Sequence, residues 1–565
     1  MPKKTLATMT ALVLVGALSS CSKDRGAPSS KPTASVRAEQ CDPQLDAAFE
    51  AWEQAGFSGT VAVSSGGRFS CLAAYGVADD AAKTPHTVNT VFNIGSITKA
   101  VTAATVYDLA EDGKLAFDDR AGDLLPELTG PAAKVTINQL LLHTSGLNGS
   151  HGHDHQPLDR AAALAAINAM KPAFGPGTDY AYSNAGYTLL ALIIEKVSGT
   201  GYREYTASKM LRLPGGRIAG GFWDGRPAAT GPRAIGYLDD GRTGESGDFA
   251  GPHWALDGNG GLSMSAGDLA AWTHALFTGQ LVSAESARAI STPGYDHGEG
   301  QAETPGWVAH DASRYGEPFL ATAGGGGDVG HSAVALWVPE KQQVIAIASN
   351  KPKVSAEQLL KKVAPALLAG TPIPAPSRPT GGGQASKATA GTYTLNTGGT
   401  FDVTPAGNEI TIKAHGADAI TRLFPPNGSA QAADFKAMEQ RVLALLDGKT
   451  DEGRKERASL EDTFGAIRKT TLAGTMFHDG DIRTYVNLTA GTASVAGWYS
   501  VDPQGGIIAA DVPTKPPALT FTAAGRDRYR PNDPIDAGPK VTVKLKDGTM
   551  TLFGPGGASV TATAS

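Results

Sequence analysis

The stretch Asn93-Ile94-Gly95-Ser96-Ile97-Thr98-Lys99 stands where an apolar segment gives way to a helix. The pattern extends that helix from about Ser96 to Asp112, with Gly113 as its stop. A serine and a lysine three residues apart share one face of a helix. The hydroxyl is a weak nucleophile until a base takes its proton. A lysine deprived of water sheds its own proton and becomes such a base. The helix N-terminus adds backbone N–H groups that favour developing negative charge. The spacing alone does not decide the matter, because Ser20-Cys21-Ser22-Lys23 has it too.

Four segments downstream give it context. They are Asn138-Gln139-Leu140-Leu141-Leu142-His143-Thr144-Ser145-Gly146-Leu147, then Pro176-Gly177-Thr178-Asp179-Tyr180-Ala181-Tyr182-Ser183-Asn184, then Gly260-Gly261-Leu262 before Ser265-Ala266-Gly267-Asp268-Leu269, and Gly330-His331-Ser332-Ala333. In this order the chain resembles the serine β-lactamase/D-alanyl-D-alanine peptidase family, in the branch of class C β-lactamases, related peptidases and esterases. The resemblance covers about residues 41–370. It implies an α/β part, with an antiparallel sheet flanked by helices, joined to an all-helical part, with the cleft between them. It also implies Ser96 as the acylated nucleophile, Lys99 as its proton-transfer partner and Tyr182 as the proton shuttle. Asn184, two residues on in an extended loop, would share Tyr182's side and orient Lys99 or the substrate amide. A phenol ionises near pH 10, so Tyr182 needs a cationic neighbour, for which Lys99 is the candidate. His143 reads as support for a turn rather than as a general base.

The match fails at the third motif. Relatives carry Lys-Thr-Gly or His-x-Gly on the strand bordering the cleft. Counting back from Gly330 puts those positions on Gly324-Gly325-Gly326, where no cation stands. An oxyanion hole needs only backbone N–H groups, expected from Ser96 and from Gly326–Gly327. Acyl-enzyme chemistry therefore stays feasible, while the grip on a substrate carboxylate is lost. His331 lies too far along the strand to replace the charge. Expectation tilts towards esterase-like or other ester or amide hydrolysis over efficient β-lactamase action, the candidate substrates being a β-lactam, a D-Ala peptide or a carboxylic ester. The rival is a degenerate, penicillin-binding-like protein that binds cell-wall fragments with little turnover.

His151-Gly152-His153-Asp154-His155 has the residue types of a zinc site, but no supporting framework is visible and a polar surface loop is expected. No metal or other cofactor is implied. The charge balance is −6, from 49 basic and 55 acidic residues. Without a dense basic run after the first few residues, nucleic-acid binding is excluded.

The chain begins with Lys3-Lys4 and an apolar run from Leu6 to Leu18, too short to span a bilayer. Leu18-Ser19-Ser20-Cys21 resembles the lipobox of bacterial lipoproteins, which implies export, lipidation at Cys21 and attachment to the cell envelope by acyl chains alone. An ordinary signal peptide with a chance cysteine is the alternative. Cys41 and Cys71 then remain, an even pair that favours a disulfide over two buried thiols in an exported chain. The expected divisions are a signal peptide (1–20), a flexible tether (21–40), the hydrolase domain (41–370), a Pro/Gly-rich linker (371–389) and a β-rich domain with a helical insert (390–565). In the last, Phe435, Met438, Val442 and Leu446 suggest one helix, and Leu460, Phe464 and Ile467 a second. Small-molecule or peptidoglycan-derived substrates are the expected partners.

Overall fold

Val61 and Val63 point to one side of a strand and Ala62 to the other, and Ile345/Ile347 alternate with Val344/Ala346/Ala348 in the same way. Side chains alternate across a pleated strand, so a strand apolar on both faces must be covered on both. In the computed structural model those strands lie at the centre of a nine-stranded antiparallel sheet. The structure describes residues 38–565 except 155, 240, 245–251, 327–328, 378–389, 427–430, 479–480, 504 and 526. The signal segment, Cys21 and most of the tether lie outside the described residues.

In chain order the sheet strands are β1 (Ala38–Cys41), β2 (Gly59–Ser65), β3 (Arg68–Tyr75), β4 (Tyr295–Gly298), β5 (Gln301–Thr304), β6 (Trp307–His310), β7 (Phe319–Gly326), β8 (His331–Val338) and β9 (Gln343–Ser349). Their order across the sheet is β1-β3-β2-β9-β8-β7-β6-β5-β4. Helices α1 (Pro43–Gln54) and α5 (Ala356–Ala369) cover one face, burying Phe49, Trp52, Leu359 and Val363 against the valines and isoleucines. The other face carries α4 (Ala266–Phe277) and, beyond it, a helical part built round α2 (Thr98–Glu111) and α3 (Asn184–Ser198). Helix α2 is buried nearly all round, from Thr98 to Tyr107 without a break. Gly113 and Gly199 take positive φ at the ends of α2 and α3, as their stop positions require.

Three sequence expectations need correction here. The end of the expected tether is not loose: Ala38–Cys41 forms an edge strand whose backbone pairs with β3. The disulfide Cys41–Cys71 therefore joins two neighbouring strands, whereas the 30-residue separation and the helical spacing of Leu45, Phe49 and Trp52 after Cys41 lead one to expect a tie between the first helix and an early strand. In the C-terminal region the second helix ends at Phe464, and Ile467 begins a strand, because Gly465 breaks the helix between them.

That region is a closed eight-stranded barrel with an insertion. Its strands are β10 (Gly391–Leu395), β11 (Thr400–Ala406), β12 (Glu409–His415), β17 (Ala518–Ala523), β18 (Arg528–Pro531), β19 (Thr542–Lys546), β20 (Thr549–Phe553) and β21 (Ser559–Ala564). The insertion holds α6 (Ala432–Leu446) and α7 (Asp451–Phe464). It also holds a four-stranded sheet of β13 (Ile467–His478), β14 (Asp481–Ala490), β15 (Ala493–Val501) and β16 (Ile507–Asp511), more than the helices expected. Phe401, Ile410, Ile412, Phe521 and Leu552 fill the barrel core. The inserted sheet reaches the N-terminal sheet-and-helix region through Arg242, whose guanidinium donates to both oxygens of Asp511 at 3.0 and 2.9 Å.

Candidate active site

Ser96 sits in a single 3-10 turn, Gly95–Ile97, that runs straight into α2. Gly95 has φ +48°, and a Cβ there would lie 2.2 Å from the Gly325 nitrogen. On the facing strand, a Cβ at Gly324 would lie 2.1 Å from the Ile94 carbonyl oxygen and 2.4 Å from the Ser96 nitrogen. Glycine on both sides lets β7 press directly on the serine turn. The Asn93 side chain accepts the Gly95 N–H at 2.7 Å and fixes the approach.

One helical turn on, Lys99 is 3% exposed. Its Nζ lies 3.1 Å from Ser96 Oγ and donates to the Asn259 carbonyl at 2.8 Å. Burial pushes the ammonium down to about 7, against the attraction of Asp154 and Glu303. Tyr182 comes from the loop before α3, and its hydroxyl donates to Ser96 Oγ at 2.5 Å. Lys99 Nζ stands 4.7 Å from the centre of that ring. The three groups predicted from sequence therefore meet at one oxygen.

The expected lowering of the Tyr182 phenol does not occur. Burial pushes it up to about 12, and Glu303 adds to the rise, while the bond to Ser96 pulls the other way. Lys99, not Tyr182, is the group able to take a proton near neutral pH.

Asn184 also differs from expectation. It is the first residue of α3 rather than part of an extended loop, and its Nδ2 donates to Ser150 Oγ at 2.9 Å, not to Lys99. The N-cap of α3 is Ser183, whose side chain accepts from Gly186 N–H. Gly149 holds this loop in place. Its N–H donates to the Tyr182 carbonyl, and its own carbonyl accepts from Asn184 and Ala185.

His143 has the supporting role read from sequence. It is buried, its Nδ1 accepts the Ser183 N–H at 3.0 Å, and its ring lies 4.6 Å from that of Tyr182. Burial holds it well below the usual imidazole range, with Lys99 and His297 adding to the effect. His331 is likewise neutral, pushed down to about 3 by burial, and its Nδ1 accepts the Asn93 N–H. It supplies no charge to the cleft.

A cavity of about 360 Å³ opens beside Ser96, Lys99 and Tyr182. From β7 it takes Ala321, Thr322 and Ala323 as lining. These three are uncharged, and the backbone of Gly324 and Gly325 stands against the serine turn. Gly326 ends β7 opposite His331, while Gly327 lies outside the described residues. Arg314 and Lys361 also line the cavity, with Glu357. Of the expected surface loop, His151 Nε2 donates to the Trp254 carbonyl at 2.8 Å, and His155 lies outside the described residues.

Two residues escaped the sequence reading. Asn259 uses its carbonyl on Lys99 and its Nδ2 on Thr188 Oγ1 and the Ala255 carbonyl, fixing the loop that holds the lysine. The neighbouring Gly260-Gly261-Leu262 was the available signal. Glu303 is a buried carboxylate in the cavity wall, and nothing local announced it.

The sequence matches the beta-lactamase family over residues 45–368. Penicillin-binding protein 4* of Bacillus subtilis (strain 168) is 27% identical over 395 residues, spanning 65% of this chain and 86% of that protein. The putative penicillin-binding protein PbpX of the same organism is 30% identical over 242 residues, 43% of this chain and 60% of that relative, so the match spans less than two thirds of its length. Among solved structures, the octameric penicillin-binding protein homologue from Pyrococcus abyssi shares the fold, at a TM-score of 0.52 and 19% identity. That match covers 92% of this chain and 99% of the other. With more than half its length matched, and with serine, lysine and tyrosine meeting in a cleft between sheet and helices, the chain belongs to the beta-lactamase family.

Proposed function

We propose that the protein is a serine hydrolase that cleaves an ester or amide through a covalent acyl-enzyme on Ser96. The observation that carries this reading is the convergence of Lys99 Nζ and Tyr182 Oη on Ser96 Oγ. Lys99 as a neutral amine takes the hydroxyl proton while Oγ bonds to the carbonyl carbon. The oxyanion is held by backbone N–H groups, Ser96 and the Gly326–Gly327 segment being the proposed donors. Collapse breaks the bond to the leaving group, which receives a proton from the Tyr182 phenol, and Lys99 returns one to the phenolate. Water then attacks the ester carbonyl as its proton passes to Lys99; collapse breaks the bond to Ser96 Oγ, which takes that proton from Lys99 as the acid leaves. Asn184 takes no part in proton transfer in this scheme.

The direction of the pH dependence follows from Lys99. It works as a base only when deprotonated, so kcat/KM for a p-nitrophenyl ester should rise with pH through about 7 and be lost below it. A profile flat from pH 5 to 9 would count against Lys99 as the base.

The uncharged β7 lining supports a substrate without an obligatory carboxylate; Arg314 and Lys361, which line the same cavity, are the side chains against which such a group would register. A charged hydrogen bond to a carboxylate is worth about 1.5–3 kcal/mol, or roughly ten-fold or more in rate. Deleting the carboxylate from a matched pair of ester substrates should therefore cost less than about ten-fold in kcat/KM. A larger penalty would point to a β-lactam- or peptide-like mode of recognition. We further propose that the protein is exported and lipid-anchored at Cys21, a reading that the Cys41–Cys71 disulfide supports, since such bonds persist in oxidising compartments. Intact mass of the membrane-extracted protein, with and without Cys21→Ala, tests it.

A further inference from the structure

The inserted sheet β13–β16 meets the N-terminal region at both ends of its last hairpin. At the tip, between β15 and β16, Asp502 Oδ2 accepts from Asn148 Nδ2 at 3.2 Å. Asn148 is followed by Gly149, whose N–H donates to the Tyr182 carbonyl, and by Ser150, whose hydroxyl accepts from Asn184. At the other end stands Asp511, the last residue of β16, which accepts from Arg242. Asp511 pairs with Trp498 of β15. Over that indole lies the guanidinium of Arg483 from β14, 4.4 Å from the ring centre, and Arg483 donates to Asp239 at 3.1 Å. His478 Nε2 lies 3.3 Å from the same Asp239 carboxylate.

Asp239 and Arg242 belong to a short hairpin closed by the Gly244 N–H on the Gly236 carbonyl. The base of that hairpin presses on the residues just before β8. A Cβ at Gly236 would lie 2.1 Å from the Val329 carbonyl oxygen, and one at Gly330 would lie 2.6 Å from the Tyr237 nitrogen. Gly330 stands between β8 and the turn from β7, the strand whose Gly324 lies against the serine turn. From Ile507 to Asp511 the chain rises roughly 13 Å, at about 3.3 Å per residue. The β15–β16 hairpin therefore reaches from the Tyr182 loop to the hairpin behind the β7–β8 turn.

We infer that the inserted sheet is a positioning element of the active site, a strap that ties the Tyr182 loop to the hairpin behind the β7–β8 turn and so fixes the width of the cleft. The inference rests on the acyl-transfer reading above, in which Tyr182 protonates the leaving group and the end of β7 offers oxyanion donors. Among the described residues, none that lines the cavity lies beyond Lys361. The strap thus acts through the two loops rather than by touching substrate. Arg242 and Asp511 are both partly exposed. Exposed pairs of this kind add little stability, but they fix the register of surfaces that dock. Their loss should register in the rate more than in the melting temperature.

The test is a reciprocal swap at each end, read as kcat and KM for a p-nitrophenyl ester on the full chain, with each variant shown by thermal melting to be folded. Asn148→Asp and Arg242→Asp each set two carboxylates face to face. Each should lower kcat on the order of ten-fold, as a sub-ångström shift of a catalytic group does, with KM within about two-fold of wild type. Adding Asp502→Asn to the first, and Asp511→Arg to the second, restores a donor facing an acceptor. Each swap should recover kcat to within about three-fold of wild type. Wild-type kcat in either folded single variant overturns the inference. So does a loss that the swap leaves unrecovered, which would make the role of Asn148 or Arg242 local, or a loss carried by KM alone, which would put the insertion on the substrate. If Arg242→Asp fails to fold, Asp511→Ala reads the same end, with the same fall in kcat expected and wild-type kcat overturning. Failure of the underlying reading looks different: activity of the otherwise wild-type chain would then survive Ser96→Ala.

Discussion

Ser96→Ala is expected to lower kcat for a p-nitrophenyl ester by at least about 10³-fold, because removing a nucleophile leaves only binding and oxyanion stabilisation to act. The same change should abolish covalent labelling by a fluorophosphonate. Peptide digestion of the labelled, unmutated protein should place the adduct on the peptide that contains Ser96. The structural ground is that no rearrangement is needed: the hydroxyl already touches both Lys99 and the Tyr182 phenol, at 3.1 and 2.5 Å. Equal hydrolysis by both proteins would show that the reacting group is elsewhere. A stoichiometric adduct on Ser96 without turnover would instead favour a penicillin-binding role.

Gly324→Ala is expected to have the second-largest effect, although it adds one methyl group and leaves the cavity lining untouched. The new Cβ would meet the Ile94 carbonyl oxygen at 2.1 Å, the Ser96 nitrogen at 2.4 Å and the Ile97 nitrogen at 2.8 Å. All three are backbone atoms and none can swing aside. Overpacking of this kind costs about 1–3 kcal/mol, which in a domain of this size lowers Tm by roughly 2–4 °C per kcal/mol. The strand or the serine turn must shift to relieve it. Displacement of a catalytic group by about 1 Å can cost 10²-fold in rate, so kcat should fall by about that factor. Gly201→Ala is the control, because its Cβ would meet only Glu195 Oε2 at 4.0 Å. If both substitutions left kcat and Tm alike, the close approach of β7 to the serine turn would be wrong.

Much of the fold was legible locally. Gly113 marked the end of the helix that carries Ser96 and Lys99. Periodicity failed where two elements abut. Ile467 continues the helical spacing of Leu460 and Phe464, yet Gly465 ends the helix and Ile467 joins a strand. The Ala38–Cys41 strand was missed because a short edge strand takes its stability from the partner it pairs with, which no local pattern displays.

The sequence by itself identified the side chains that meet at Ser96. The spacing of Ser96 and Lys99 follows from helix geometry, and the ordered segments around Tyr182 and His143 marked the residues that gather about them. Only the tertiary structure decided how those groups are tuned. Asn259 reaches Lys99 across 160 residues, Tyr182 reaches Ser96 across 86, and Glu303 enters the cavity from a strand far along the chain. Proton affinity depends on exclusion of water and on the charges nearby, and both are properties of packing between distant segments rather than of any stretch of chain.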